Sequence, residues 1–94
     1  MLKPPAYEWN EAKRAANLRL HGVDFASAEA FEWDLALTID QNRSGERRYA
    51  SFAPIHGRLH CLVWTARGAA VRVISLRRAN NRERRAYEQA IDAD

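Results

Sequence analysis

The sequence predicts an α+β domain in which two N-terminal helices and one C-terminal helix pack on a small antiparallel sheet. Three observations lead to this prediction. Apolar residues recur at helical spacing over residues 11–33, they alternate over residues 35–77, and helical spacing returns after a capping pattern at residues 80–83. The chain has 94 residues, of which 47% are apolar. Because that suffices for one modest core, we expect a single domain at 1–94 with a flexible tail at 1–6.

The N-terminal third predicts a short strand and two helices. The strand covers Tyr7–Trp9, and Asn10 is expected to cap a helix over residues 11–21 that ends at Gly22. The side chains expected to face the core from this helix are Ala12, Ala15, Ala16 and Leu20. A second helix is predicted to start at Asp24 and to run to about Trp33, with apolar residues at helical spacing. These residues are Phe25, Ala28 and Phe31.

Four strands are predicted next. Apolar and polar residues alternate from Leu35 to Asp40, and a polar loop then leads to a strand over residues 47–55 that stops near Pro54. The segments Arg58–Arg67 and Ala70–Arg77 follow, separated by a turn at Gly68. Because the connections between the last three strands are short, these strands should form an antiparallel meander.

The last predicted element is a helix over residues 81–91. Asn80 and Glu83 have the spacing of a capping box, in which each side chain accepts a hydrogen bond from the other residue's backbone. The apolar stripe of this helix is expected to consist of Ala86, Tyr87, Ala90 and Ile91.

Charge is distributed unevenly along the chain. Residues 1–40 carry four basic and seven acidic side chains, whereas residues 41–94 carry five acidic side chains and eleven basic ones, all of them arginine. Arginine offers a planar fork that fits phosphate, so this half favours phosphate, nucleic acid or an acidic protein as its partner. A basic face that is merely solvated remains an equal alternative. No apolar run is long enough for a membrane span, and the single cysteine is typical of the reducing cytoplasm, which we predict as the location.

Five arginines lie between positions 77 and 85, where the last strand gives way to the last helix. A helix N-terminus presents free backbone N–H groups and a positive dipole end, so phosphate sites are often built there. Arg77 and Arg78 must point to opposite faces of the sheet. Strict alternation groups Arg77 with Ser75 and Val73, and leaves open which face is the core.

Few side chains could transfer a proton near neutral pH. His21 ends a helix and could be a helix cap rather than a catalytic group, and Glu46 could be a base or simply hold Arg48. His60 is expected to be a partly buried strand residue. A metal site is not predicted, because His60 and Cys61 face opposite sides of a strand and their spacing matches no zinc pattern. We therefore expect neither a metal nor another cofactor.

Several ordered motifs resemble those of a known family. They are YEWN at 7–10, HGVDF at 21–25, GERRY at 45–49, GRLHCLVWT at 57–65, and ISLRRA at 74–79 followed by Glu83, Arg84 and Tyr87. In this order and at these separations they resemble the BrnT family, the toxins of BrnT/BrnA type II toxin–antitoxin systems. The resemblance extends from about Tyr7 to Glu88.

The resemblance implies a metal-independent endoribonuclease with a RelE-like architecture that inhibits translation by cleaving RNA. It also implies a cognate BrnA-like antitoxin, with two toxin and two antitoxin chains in the complex. The antitoxin would carry the DNA-binding domain, so that this chain would contact DNA only through it.

The resemblance also implies functional positions. The catalytic ones are His21, Glu46, Arg48, Arg67 and Arg77, and those that would bind RNA are Arg78, Glu83, Arg84 and Tyr87. Arg77 is expected to bear the charge of the phosphate, with Arg48 and Arg67 in support and Glu46 or His21 transferring the proton. Leu20 departs from the family pattern, which has a lysine there, and this change could weaken activity.

Two alternatives remain open at this point. The same basic surface would suit a nucleic-acid-binding module without catalysis, or a domain whose arginines only receive an acidic antitoxin segment. For the nuclease hypothesis, guanidinium groups from separate segments should converge on a shared pocket.

Overall fold

The structure is a computed structural model that describes residues 2–92. Within these residues the elements follow in this order: β1 (Tyr7–Glu8), α1 (Glu11–His21), two 3₁₀ helices (Phe25–Ala30 and Trp33–Leu35), β2 (Leu37–Asp40), β3 (Tyr49–Ile55), β4 (Arg58–Arg67), β5 (Ala70–Arg78) and α2 (Asn81–Asp92). The predicted α+β class is confirmed. Met1 of the predicted tail and residues 93–94 of the predicted domain lie outside the described residues.

The five strands form one sheet in the order β1-β5-β4-β3-β2. Strands β2 to β5 form the predicted antiparallel meander. The short strand β1 adds to the free edge of β5 in parallel, with Tyr7 opposite Val71. Within residues 2–92 the sheet is therefore mostly antiparallel, because β1–β5 is the one parallel pair.

The hydrophobic core lies on one face of the sheet, which we call the core face. Leu62 of β4 and Leu76 of β5 are fully buried there, opposite each other in the register. Phe25 and Trp33 cover them from the 3₁₀ helices and are also almost fully buried. Each such side chain stabilises the fold by about 1.5–3 kcal/mol through removal of apolar area from water. The indole Nε1 of Trp33 donates a hydrogen bond of 2.7 Å to the hydroxyl of Tyr7, which satisfies its polar atom.

The second predicted helix is a 3₁₀ helix and ends earlier than expected. Asp24 does cap it, because its side chain accepts a hydrogen bond from the Ala26 N–H. The helix stops at Ala30, and a separate 3₁₀ turn follows at Trp33–Leu35. The buried residues at 25, 28 and 31 recur every three positions, which matches the three residues per turn of a 3₁₀ helix better than the 3.6 of an α-helix.

The predicted core-facing side of α1 is wrong. Leu20 is 77% exposed, and among the α1 residues the buried one is Asn17. The Asn17 amide donates to the carbonyl oxygens of Val23 and Leu76, and it accepts a hydrogen bond from the Leu76 N–H. Strand β1 pairs with β5 only at Val71 and Arg72, so the backbone groups of Leu76 on that edge are free. A polar side chain therefore docks α1, because it completes an unpaired strand edge.

A β-bulge between β4 and β5 changes which side chains share a face. Val63 lies opposite Ser75, but Trp64 lies opposite Val73, so Ile74 is the extra residue. Val73 is consequently buried in the core, whereas Ser75 and Arg77 point to the other face. The predicted grouping of Arg77 with Val73 is wrong for this reason.

Helix α2 lies over the sheet face opposite the core, which we call the α2 face. Its start has the predicted capping box, and the Tyr87 hydroxyl donates a hydrogen bond of 2.7 Å to the Leu35 carbonyl. Its predicted apolar stripe is wrong in part, because none of its described side chains is buried and Ile91 is 43% exposed. Neither α-helix of residues 2–92 has the length and apolar character that crossing a bilayer requires.

Candidate functional site on the α2 face

The junction of β5 and α2 is organised by an ion pair between Arg77 and Glu83. Arg77 donates from Nη1 and Nη2 to the two carboxylate oxygens of Glu83, and both distances are 2.8 Å. Hydrogen bonds from Arg77 keep the pKa of Glu83 below its usual value, and the N–H of Asn80 acts in the same direction. Glu83 therefore has two tasks: it caps α2 and it fixes the direction of the arginine that the sequence predicts to bind phosphate.

The register of the sheet places Arg77 on the α2 face. Arg77 lies opposite Cys61 on β4, which in turn lies opposite Phe52 on β3. The Cys61 thiol is buried beside Arg77, and burial raises its pKa to about 11 although Arg77 acts against this. Burial therefore disfavours the reactive thiolate form, and Cys61 packs beside the arginine.

Three more arginines point to the same face. Arg72 of β5 lies opposite Thr65, and Arg67 is two residues further along β4 on the same side as Thr65. Arg48 precedes β3, and the alternation of that strand assigns it to this face as well, two residues before Ala50. Arginines from β4, from β5 and from the loop before β3 therefore share one surface, whereas the nuclease hypothesis requires them to converge on one pocket.

Most of these arginines are paired with a carboxylate. Arg72 contacts Glu8 at 3.2 Å, and the Nε of Arg48 lies 3.4 Å from Glu46. That Arg48 Nε is buried and makes no hydrogen bond of good geometry, so the contact with Glu46 is an ion pair only. Arg67 forms no ion pair with any residue of the described part. Most of the positive charge of these arginines is therefore paired with carboxylates. Of the four, Arg67 is the one without such a partner within residues 2–92.

Arg77 lies near one end of this face, and the register places Arg48, Arg67 and Arg72 near the other end. Arg72 and Arg77 are five residues apart on β5, which corresponds to roughly 15 Å along an extended strand. A single phosphate group cannot contact both. The predicted convergence on one pocket is therefore replaced by a shared surface, on which an extended polyanion could place successive phosphates.

The other predicted site residues fall into two places. Arg84 and Tyr87 are on α2, where Arg84 donates to the Asn81 side chain and Tyr87 to the Leu35 carbonyl. Burial raises the pKa of the Tyr87 hydroxyl, which makes it a hydrogen-bond donor rather than a base. His21 ends α1, and Arg78 faces His60 in the register, so both belong to the core-face side of the sheet. The structure does not bring them together with Arg77.

Sequence reasoning missed Arg72 and its partner Glu8 on the α2 face. Strict alternation along β5 assigns Arg72 to the side of Arg78, and only the bulge at Ile74 brings it to the side of Arg77. A bulge has no reliable sequence signal here, since no glycine marks it. Glu8 could have been found from a parallel β1–β5 pairing, which the sequence does not reveal either.

A shallow apolar pocket of about 240 Å³ lies where α2 passes over the edge of the sheet. It is lined by Leu37, Ile39, Phe52, Glu83, Ala86 and Tyr87. Nucleotide bases and apolar side chains of a partner protein could both enter it. In residues 2–92, histidine, cysteine and acidic side chains nowhere form a group of three that could hold a metal ion.

Comparison with known proteins identifies the family that this chain resembles in sequence and in structure. A family model described as "Ribonuclease toxin, BrnT, of type II toxin-antitoxin system" matches residues 9–83. The crystal structure of the Brucella abortus ribonuclease toxin, BrnT, is similar to this chain with a TM-score of 0.66 and 27% sequence identity. That match covers 81% of this chain and 99% of the Brucella chain. No curated protein sequence matches. The family match includes Arg48, Arg67, Arg77 and Glu83, and ends before Arg84 and Tyr87.

Proposed function

From the premise that the chain belongs to the BrnT family of ribonuclease toxins of type II toxin–antitoxin systems, we propose that it is an endoribonuclease that cleaves RNA without a metal. RNA carries its own nucleophile, because the ribose 2′-hydroxyl can attack the adjacent phosphorus. The P–O bond to the 5′-oxygen then breaks, leaving a cyclic phosphate and a free 5′-hydroxyl. The protein has to align these groups, move two protons and stabilise negative charge on the phosphate.

Arg77 is the residue that stabilises this charge in the proposal. Glu83 holds its guanidinium in one orientation, so little reorganisation is needed when the phosphate acquires charge. Arg48 and Arg67 support it by binding neighbouring phosphates of the same strand. Glu46, which contacts Arg48, is the proton-transfer group in the proposal. His21, the other candidate from the sequence, ends α1 on the core-face side of the sheet, away from Arg77.

The observation that carries the proposal is that Arg48, Arg67, Arg72 and Arg77 share one open face of the sheet. Glu8, Glu46 and Glu83 are each paired with an arginine of this face. An incoming phosphate can replace Glu8 or Glu46 as the partner of Arg72 or Arg48, while Glu83 keeps Arg77 in place. A basic face that was only solvated would not need arginines held in place by carboxylates.

The partner in the proposal is a cognate BrnA-like antitoxin, in a complex of two toxin and two antitoxin chains. An acidic antitoxin segment could pair with the same arginines, and an apolar side chain could enter the pocket beside α2. Neutralisation would then follow from occupation of the α2 face. The RelE-like architecture, the inhibition of translation, the cytoplasmic location and the contact with DNA through the antitoxin belong to the same proposal.

A second candidate function is binding without catalysis. It is favoured by the commitment of Arg77 to Glu83, because a strongly paired arginine is less available to a transition state. In that case the α2 face would bind RNA or the antitoxin, and no bond would be cleaved.

The experiment that separates these functions is incubation of the full chain with single-stranded RNA in a chelating buffer. We expect cleavage that leaves a 2′,3′-cyclic phosphate, and loss of at least about 100-fold in rate in Arg77→Ala, as is common for groups that stabilise transition-state charge. Arg19→Ala is the matched control, because Arg19 is an exposed arginine of α1 that belongs to none of the proposed functional positions.

Each outcome bears on a different claim. RNA that is bound but stays intact would leave only the binding function. Cleavage that persists in a folded Arg77→Ala variant would remove Arg77 from the mechanism. Cleavage that is lost on chelation would contradict metal independence.

A further inference from the structure

A second basic site lies outside the α2 face, at the end of the core face beyond α1. A cleft of about 450 Å³ is bordered there by the end of α1, the start of the first 3₁₀ helix and the β3–β4 turn. Its polar lining consists of Asp24, Ser27, His56, Arg58, His60 and Arg78. It holds two arginines and two histidines, and of these only Arg78 belongs to the functional positions that the family motifs predict.

The strands hold these side chains in a fixed arrangement. His56 and Gly57 form a two-residue turn with positive φ values of 49° and 79°, which is the conformation that tightly joins two antiparallel strands. Arg58 and His60 alternate along β4 and therefore point to the same face. His60 lies opposite Arg78 on β5. The imidazole is thus next to both guanidinium groups because of strand geometry and not because of a flexible loop.

The protonation of His60 follows from its hydrogen bond. Its Nδ1 lies 2.7 Å from the carbonyl oxygen of Arg58, which can only accept, so Nδ1 carries the proton. The other ring nitrogen, Nε2, makes no hydrogen bond to any residue of the described part. Burial lowers the pKa of His60, and the charges of Arg78, Arg58 and His56 act in the same direction. At neutral pH, Nε2 is therefore an acceptor without a donor.

The two arginines of the cleft are available for a ligand. The side chains of Arg58 and Arg78 are exposed and form no ion pair within residues 2–92. Asp24 is the acidic group that lines the cleft, and both of its oxygens are occupied. One accepts from Arg14 at 2.8 Å and the other from the Ala26 N–H. Free positive charge therefore exceeds free negative charge in the cleft.

The chemistry of these groups selects the ligand. Two guanidinium forks require an anion, and Nε2 of His60 requires a hydroxyl or N–H donor close to that anion. A carboxylate side chain supplies the anion but not the donor. A ribose 3′-phosphate supplies both, since the 2′-hydroxyl is adjacent to the phosphate. We propose that this cleft binds the ribose 3′-phosphate unit of RNA, with Arg58 and Arg78 on the phosphate and His60 accepting from the 2′-hydroxyl.

This inference rests on the proposed function only in naming RNA as the source of the ligand, since binding requires no cleavage. The cleft would recognise ribose against deoxyribose. The α2 face, where oriented arginines dominate, would bind phosphates of either type.

The test compares adenosine 3′-monophosphate with 2′-deoxyadenosine 3′-monophosphate as ligands of the full chain, by calorimetry at pH 7. We expect the ribonucleotide to bind roughly fivefold more tightly, the effect of one hydrogen bond. In His60→Phe the preference should vanish while both nucleotides still bind. In Arg78→Gln both should bind roughly tenfold more weakly with the preference intact. Arg43→Gln is the control, because Arg43 is in the β2–β3 loop at the opposite end of β3 from the cleft.

Acid provides a second readout that requires no variant. Both nucleotides lose phosphate charge equally as the pH falls, so their affinity ratio reports on His60 alone. The preference should fall as His60 is protonated, below its usual pKa of 6.5, because Nε2–H then donates to the phosphate that both nucleotides carry.

Equal affinities of the two nucleotides for the wild-type chain would overturn the proposal, and so would a preference that survives in a folded His60→Phe variant. An oligo-glutamate peptide that displaces the ribonucleotide and itself binds more tightly would instead assign the cleft to a protein partner. Absence of RNA cleavage would refute the nuclease function and leave the measured preference, and hence this inference, unaffected.

Discussion

Arg77 and Glu83 face each other through two parallel hydrogen bonds of 2.8 Å, one from each terminal nitrogen of the guanidinium. The same carboxylate accepts the Asn80 N–H at 2.9 Å, so it joins the end of β5 to the start of α2. None of the described α2 side chains is buried. The direction of this helix therefore depends on its first turn and on the Tyr87 contact more than on apolar packing.

Replacement of Glu83 by glutamine should destabilise the chain by about 1 kcal/mol at pH 7, the typical size of a partly exposed ion pair. Because the folded-state pKa of Glu83 is lowered, its contribution is complete above the unfolded-state pKa, near 4.5. It is lost as the pH falls below that value toward the folded-state pKa. Urea denaturation at pH 7 and at pH 3 should therefore show a difference between the two proteins that is smaller at pH 3 than at pH 7.

Glu88→Gln serves as the control for this measurement, because Glu88 is an exposed acid of the same helix that forms no ion pair within residues 2–92. A loss for Glu83→Gln that is equally large at pH 3 would mean that shape, and not charge, is what the carboxylate contributes.

Replacement of Asn17 by alanine should be among the most damaging single changes in α1. It would leave the N–H and C=O of Leu76 and the C=O of Val23 without their partner in a buried place. We expect a loss of about 3 kcal/mol in the free energy of unfolding, since unsatisfied buried groups cost about 1–3 kcal/mol each and water can relieve some of them. Chemical denaturation measures this, with Arg19→Ala expected to change stability by less than about 0.5 kcal/mol. A similarly small effect of Asn17→Ala would show that α1 is docked by other contacts.

Asn17 also shows which parts of the fold the sequence could predict. Strands β3 to β5 follow from alternation and short turns, which are local properties, and α1 and α2 follow from their caps. The buried face of α1 does not follow, because apolar periodicity cannot reveal a polar side chain that completes a distant strand edge. The pairing of β1 with β5 depends on residues more than 60 positions apart, with Tyr7 opposite Val71, and has no local signal.

The candidate site was predictable in its residue types and less so in its geometry. The arginine cluster at the β5–α2 junction and the role of Glu83 in the capping box follow from spacing alone. The bulge at Ile74 could not be predicted, and it decides that Arg72 and Arg77 share a face. The tautomer of His60 depends on a backbone carbonyl two residues away, which only the structure places.

The charges of the α2 face predict opposite effects for two single substitutions. Arg67 is unpaired among the described residues, so Arg67→Ala should weaken binding of single-stranded RNA and reduce the slope of log affinity against log salt by about 0.7. Glu8→Gln should instead strengthen binding and steepen that slope, because it frees Arg72.

Fluorescence anisotropy with a labelled oligoribonucleotide at several salt concentrations measures both slopes. Glu29→Gln is the matched control, since Glu29 pairs with Lys3 and belongs to a 3₁₀ helix that packs on the core face. If Glu8→Gln and Glu29→Gln have the same effect, net charge and not the release of Arg72 accounts for the change.

Leu20 offers a test of the expectation, drawn from the family resemblance, that a lysine at that place would contribute to RNA binding. Leu20 is in the last turn of α1 and is 77% exposed, so lysine can replace it without loss of packing. A cation there also interacts favourably with the negative end of the helix dipole.

We expect Leu20→Lys to leave the free energy of unfolding within about 0.5 kcal/mol of the wild-type value. It should increase RNA affinity, because it adds a positive charge two residues from Gly22, which borders the cleft that holds Arg58 and Arg78. Leu20→Gln separates charge from loss of the apolar side chain. Equal RNA affinity of the lysine and glutamine variants would mean that the lysine is not needed for RNA binding in this chain.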